Sequence, residues 1–128
     1  MNILSIHEEN GCIIFKNKNE AQVVRLFFSQ YGNESLEKGF KKKYKNLASV
    51  KHLVCINRLH VSVDYRRKGW GSIIMNHLLT RFKESSYIVN AYPDDQDYMS
   101  LEELVKFYGK FGFKVSHITE EGFLLIKK

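Results

Sequence analysis

The 128-residue chain has one proline, two cysteines and no apolar run near the roughly eighteen residues of a membrane helix. A composition of 44% hydrophobic and 27% charged residues excludes a disordered chain and fits an ordinary folded one. Cys12 and Cys55 lack metal-site spacing and read as two buried thiols in a reducing compartment, so no metal is expected. The start, "MNILSIHEENGC", has no basic region followed by an apolar stretch, which predicts no secretory signal and a cytoplasmic location. Neither G-x-G-x-x-G nor a P-loop "GKS" or "GKT" occurs, which argues against a nicotinamide dinucleotide site and a nucleotide hydrolase.

Acidic residues are also missing from one zone. Residues 38–83 hold twelve cations and a single acid, Asp64, a balance of +11 within a net charge of +6. Such a zone suits a phosphate-rich ligand, an acidic partner or nucleic acid. At 128 residues the chain reads as one domain, 1–128, able to bury roughly two-thirds of its unfolded surface.

The pattern along the chain is mixed α and β. "NILSIH" and "CIIFKN" predict a hairpin around "EENG". Asn19 is a candidate cap for a helix carrying Val23, Val24, Phe27 and Phe28 on one face, and residues 34–48 predict a second helix. "HLVCINRLHVSV" (52–63) predicts a long strand with a bulge or break near Asn57–Arg58. Ile73, Ile74, His77, Leu78, Leu79 and Phe82 then recur at helical spacing, and "YIVNAY" (87–92) predicts a strand closed by Pro93. "SLEE" (100–103) is a capping box for a helix with Leu101, Leu104, Val105 and Tyr108 inward. Two closing strands flank "TEEG". The strand–helix–strand unit over 52–92 should be parallel and right-handed.

Between strand and helix stands "VDYRRKGWGS" (63–72). A helix start offers unpaired amides and the positive end of the macrodipole, so it attracts anions. Gly69 and Gly71 remove Cβ atoms and let an anion approach the backbone, while Arg66, Arg67 and Lys68 add charge. The arrangement suits a diphosphate, although glycines also simply permit tight turns.

At these residues the sequence resembles the GNAT acyltransferase superfamily. "LHVSVDYRRKGWGSIIMNHLL" is similar to its acetyl-coenzyme A signature, L-x-V followed by R/Q-x-x-G-x-G/A and an apolar helix, with Leu59, Val61, Arg66, Gly69 and Gly71 in register. "LVKFYGKFGF" (104–113) resembles a second block of the family, with Phe107, Tyr108, Lys110, Gly112 and Phe113 in place. The resemblance spans residues 53–128. It implies an α/β fold with a twisted mixed sheet of about six strands flanked by four helices. It also implies acetyl-CoA as cosubstrate and transfer of the acetyl group to a primary amine by direct attack in a ternary complex.

By the same resemblance, the strand end at Leu59, Val61 and Val63 pairs with the pantetheine arm. The loop Arg66, Arg67, Lys68, Gly69, Trp70, Gly71 and Ser72 holds the pyrophosphate, mainly through the amides of 67–72. The thioester sits in a splay between strands 52–63 and 87–92, with an oxyanion donor among the amides near Leu59–Val61. Tyr108 matches the tyrosine that protonates the departing thiolate, and a phenol of ordinary pKa, about 10, is protonated at neutral pH. Tyr108 equally fits a packing role on an apolar helix face.

The chain departs from the family in three places. Positions where relatives carry a Glu or His base are Asn57 and Cys55 here, and strand alternation turns His60 away from Leu59 and Val61. The asparagine seven residues before the tyrosine is Leu101. The hairpin precedes the helices, so a shortened or rearranged N-terminal half is expected. "KGFKKKYK" (38–45) reads as a lysine-rich solvated helix face or a nucleic-acid contact, and "PDDQDY" (93–98) as a polar loop or a lure for a cationic amine. Acceptors that fit are a small amine, a peptide or protein, and aminoacyl-tRNA, in a monomer or homodimer with no membrane partner. The alternative is a non-catalytic module of the same fold that binds an acidic partner or nucleic acid.

Overall fold

Asn10 and Gly11 both take positive φ, 47° and 77°, as a two-residue type I′ hairpin turn requires. In the computed structural model, which describes residues 3–32, 50–91, 99–119 and 122–128, they join β1 (Ile3–Glu9) to β2 (Cys12–Asn17). β2 pairs antiparallel with β3 (Gln22–Tyr31), so three successive strands open the chain. The helix predicted after Asn19 is therefore corrected to a strand. Val23 and Val24 are both fully buried, as are Leu26 and Phe28, so apolar doublets here mark a strand covered on both faces. The same doublets fit helical spacing, which is why periodicity alone misleads. Asn17, rather than Asn19, organises the turn. Its side-chain oxygen accepts from the amides of Asn19 and Ala21 at 2.8 and 3.0 Å, and Glu20 turns at φ 64°.

The chain divides into two compact units. The first holds residues 1–30 and 56–84. It contains β1, β2, most of β3, the later part of β4 (Leu53–Val61), a single 3₁₀ turn (Val63–Tyr65) and α1 (Trp70–Arg81). α1 buries Trp70, Ile74, Met75 and Leu78. Phe15 meets His77 edge-on at 5.7 Å, and Phe28 meets Phe82 at 5.2 Å. Aromatic pairs at these separations add to simple burial. β4 ends at Val61 rather than Val63, and its burial alternation breaks at the exposed pair Asn57–Arg58.

The second unit holds residues 31–55 and 85–128. β5 (Ser86–Ala91) pairs antiparallel with β7 (Phe123–Lys127), which pairs antiparallel with β6 (Lys114–Ile118). Val50, Leu53, Ile88, Leu124 and Ile126 form one core cluster, with Tyr31 and Cys55 against it. Cys55 is thus half-buried rather than fully buried, while Cys12 is buried. α2 (Leu101–Gly109) opens on the expected capping box: Ser100 Oγ accepts from the Glu103 amide, and the Glu103 carboxylate accepts from the Ser100 amide.

Hydrogen-bonded neighbours follow the order β1-β2-β3-β4-β5-β7-β6 in one seven-stranded mixed sheet. The mixed α/β class is as expected. The count differs: seven strands stand where about six were predicted, and two α-helices are present among the described residues. Of the two remaining expected helices, one is β3 and the other, over 34–48, lies outside the described residues. The segments 38–45 and 93–98 also lie outside them.

The Gly11 turn yields a prediction. A Cβ there would lie 2.5 Å from the Phe28 carbonyl oxygen, on a backbone already at positive φ. Gly11→Ala should cost on the order of 2–4 kcal/mol, from left-handed strain plus overpacking. Urea unfolding of the variant, read by circular dichroism, measures that loss.

Candidate functional site

β4 stops because Ser62 turns its polar groups onto β3. Its amide donates to Val23 O at 2.9 Å and its hydroxyl to Gln22 O at 2.7 Å. A 3₁₀ turn follows, closed by the Tyr65 amide on Ser62 O at 2.8 Å. Asn17 Nδ2 donates to the Tyr65 hydroxyl at 2.6 Å, tying this turn to the end of β2. Arg66 Nε donates to Val61 O at 3.0 Å, across the turn. The connection is thus braced from three sides by hydrogen bonds rather than by a core.

Beyond Arg66 the backbone changes hand. Arg67 has φ 62°, and Gly69, the N-cap of α1, has φ 86° and ψ 5°. A left-handed residue followed by a helical one makes successive amides converge on one point, a concave anion nest. The first bond inside α1 runs from the Ile73 amide to Gly69 O at 3.1 Å. The amides of Trp70, Gly71 and Ser72 precede it and have no acceptor within the helix. A Cβ at Gly69 would meet nothing within 4 Å, so the space beside this residue is open.

The predicted loop residues separate by role. Gly69, Trp70, Gly71 and Ser72 form the nest, and Arg67 and Lys68 are exposed beside it. The Trp70 side chain is buried, so this residue offers the nest only its amide. Val61 is buried at the strand end and Leu59 is half-buried. Val63 lies in the 3₁₀ turn with 73% of its surface exposed, so the expectation that it ends the strand is corrected. Ser62, bonded to β3, is what breaks the strand there. Behind the helix start, an apolar groove of about 480 Å³ runs along α1 between Ile6, Phe15, Ile73 and His77.

In the second unit Tyr108 sits in the last turn of α2 with 3% of its surface exposed. Its ring meets Phe107 at 5.1 Å and Phe113 at 5.5 Å. Tyr87 of β5 meets Phe113 at 6.2 Å and is buried as well, and desolvation pushes its phenol up to about 12. Sequence reasoning missed this second buried phenol in the same aromatic group. Its signal was available: Tyr87 opens a run of apolar residues on a strand buried on both faces.

The positions that lack a conventional base hold Asn57 and Cys55. Asn57 Nδ2 donates to Ser29 Oγ at 2.8 Å. Burial pushes the Cys55 thiol up, which keeps it protonated at neutral pH. Among the described residues no group of His, Cys, Asp and Glu could hold a metal ion, and no helix is long and apolar enough to cross a membrane.

Comparison with known proteins gives the family and the fold. The family model described as acetyltransferase (GNAT) domain matches residues 7–115. No curated protein matches the sequence. Among solved structures, Arabidopsis thaliana Naa50 in complex with the bisubstrate analogue CoA-Ac-MVNAL is similar, with TM-score 0.61 and 20% identity over 91% of this chain and 71% of that one. The Bacillus subtilis N-acetyltransferase YlbP in complex with coenzyme A gives TM-score 0.60 and 16% identity, over 91% of this chain and 66% of that one. AtaT complexed with acetyl-methionyl-tRNAfMet gives 0.56 and 16%, over 90% and 68%. The chain thus spans about two-thirds of the length of these structures, and the likeness shows the fold.

Tyr87 generates a pH prediction. An unfolded phenol ionises near pH 10, while the buried one is held to about 12. Between those values the unfolded chain releases a proton that the folded chain keeps, so stability should fall as pH rises from about 10 to 12. Urea midpoints should drop over that window in the wild type and drop less in Tyr87→Phe. Equal slopes would contradict the assignment.

Proposed function

The chain belongs to the acetyltransferase (GNAT) family, and we propose that it moves an acetyl group from acetyl-CoA to a primary amine. The observation that carries this reading is the nest at residues 69–72, with open space beside Gly69 and with Arg67 and Lys68 exposed next to it. Its converging amides suit a diphosphate, as helix N-termini do. The backbone of Leu59 and Val61 would align the pantetheine arm, and an amide near them would stabilise the oxyanion formed at the thioester carbonyl.

The amine nitrogen attacks the thioester carbon, the C–S bond breaks, and the thiolate takes up a proton. Tyr108 is the proposed donor of that proton. Support comes from its place in the motif "LVKFYGKFGF". Asn57 and Cys55 supply no base, so the acceptor enters as the neutral amine, the proton its nitrogen sheds on attack leaves through water, and water in turn restores the Tyr108 phenol. The acceptor class is proposed by analogy with two similar structures, one in complex with the bisubstrate analogue CoA-Ac-MVNAL and one with acetyl-methionyl-tRNAfMet. The +11 balance over 38–83 favours a phosphate-bearing acceptor such as aminoacyl-tRNA, whose binding would weaken steeply with salt.

Calorimetry with acetyl-CoA tests the reading first, and no binding at high micromolar concentration would remove it. Gly69→Val should weaken coenzyme binding at least tenfold, while costing about 1–2 kcal/mol of stability through left-handed strain alone. With an acceptor found by thiol release, Tyr108→Phe should lower kcat on the order of 10²-fold and leave coenzyme affinity nearly unchanged. Coenzyme binding without thiol release on any amine, peptide or aminoacyl-tRNA would favour a non-catalytic binding module instead.

A further inference from the structure

Arg66 was expected to lend its charge to the ligand, yet its Nε–H is spent on the protein. It donates to the carbonyl of Val61, the last residue of β4, at 3.0 Å in a half-buried setting. Arg66 itself is extended, at φ −69° and ψ 153°, and is the residue that closes the 3₁₀ turn. Immediately after it the chain enters an exposed stretch with two left-handed residues. Arg67 and Gly69 are left-handed, and Arg67, Lys68 and Gly69 are all exposed. Such a segment has few apolar contacts of its own, and segments of that kind open locally unless an end is tied down. The bond from Arg66 is the last tie before the change of hand.

We propose that Arg66 is a positioning residue: its bond to the Val61 carbonyl holds the amides of residues 69–72 in their converging arrangement, and its charge is not what the ligand reads. The inference rests on the reading that these amides hold the coenzyme's diphosphate. Side-chain chemistry makes it testable. Counting outward from Cβ, the fourth atom of arginine is Nε, and the fourth atom of glutamine is also a nitrogen bearing N–H. The fourth atom of lysine is a methylene, with the charge one atom further out. Glutamine therefore keeps the donor in place and discards the charge, whereas lysine does the reverse.

The test compares wild type, Arg66→Gln and Arg66→Lys, titrated calorimetrically with coenzyme A at low and moderate salt. Arg66→Gln should bind within about threefold of wild type, with the same dependence on salt. Arg66→Lys should bind at least tenfold more weakly, and in turnover its KM for acetyl-CoA should rise while kcat holds. Wild-type affinity in Arg66→Lys with a tenfold loss in Arg66→Gln would overturn the proposal in favour of direct charge recognition. Amide hydrogen exchange of the ligand-free proteins gives a readout independent of binding. Arg66→Lys should raise exchange at residues 67–72 while the interiors of β4 and α1 stay protected, and Arg66→Gln should not. Equal protection of the loop in all three proteins would likewise overturn the proposal. If wild type itself binds no coenzyme A, the diphosphate reading fails, and exchange alone then decides whether Arg66 positions the loop.

Discussion

A strand must become a helix within residues 62–69 while the first amides of that helix stay uncovered. The two demands conflict, because backbone is normally held by burial and a ligand-facing loop cannot be buried. The structure resolves the conflict with polar ties at the margin. Ser62 holds to the Gln22 and Val23 carbonyls, Tyr65 accepts from Asn17, and Arg66 donates to Val61. The space beside Gly69 stays open, and together these ties replace the missing core. Net hydrogen bonds of this kind are worth roughly 1 kcal/mol each, so only several together can hold a contorted loop. Trp70 supplies the one apolar anchor at the junction, buried at the start of α1.

The second unit solves the opposite problem. Tyr87 and Tyr108 pack against Phe113 in one aromatic group, and burial there disfavours the Tyr87 phenolate. A phenol in such surroundings is a reservoir of one proton, released only to a base strong enough to meet it. The half-buried Cys55 obeys the same rule, its thiol pushed up by desolvation.

Legibility followed the range of the determining interactions. The capping box at Ser100–Glu103, the Asn10–Gly11 turn and the glycine-started helix rest on contacts within a few residues, and these could be read directly. β3 could not. Val23, Val24, Phe27 and Phe28 suit a helix face and a two-sided strand equally, and the choice lies with β2, whose Cys12–Phe15 pair with Val24–Phe27. Arg66 was legible as a cation beside a glycine loop, but its bond to Val61 depends on how the 3₁₀ turn folds back. Val63 looked like strand because it is β-branched, and only the bonds of Ser62 to β3 show why the strand ends before it.

By itself, then, the sequence determined the αβ class, the anion-seeking helix start and the tyrosine block, because each is encoded in residue type at short spacing. Tertiary structure decided that residues 3–31 form a three-strand meander and that Arg66 donates to the Val61 carbonyl. Both outcomes turn on pairing between residues distant in the chain, and no local preference ranks such pairings.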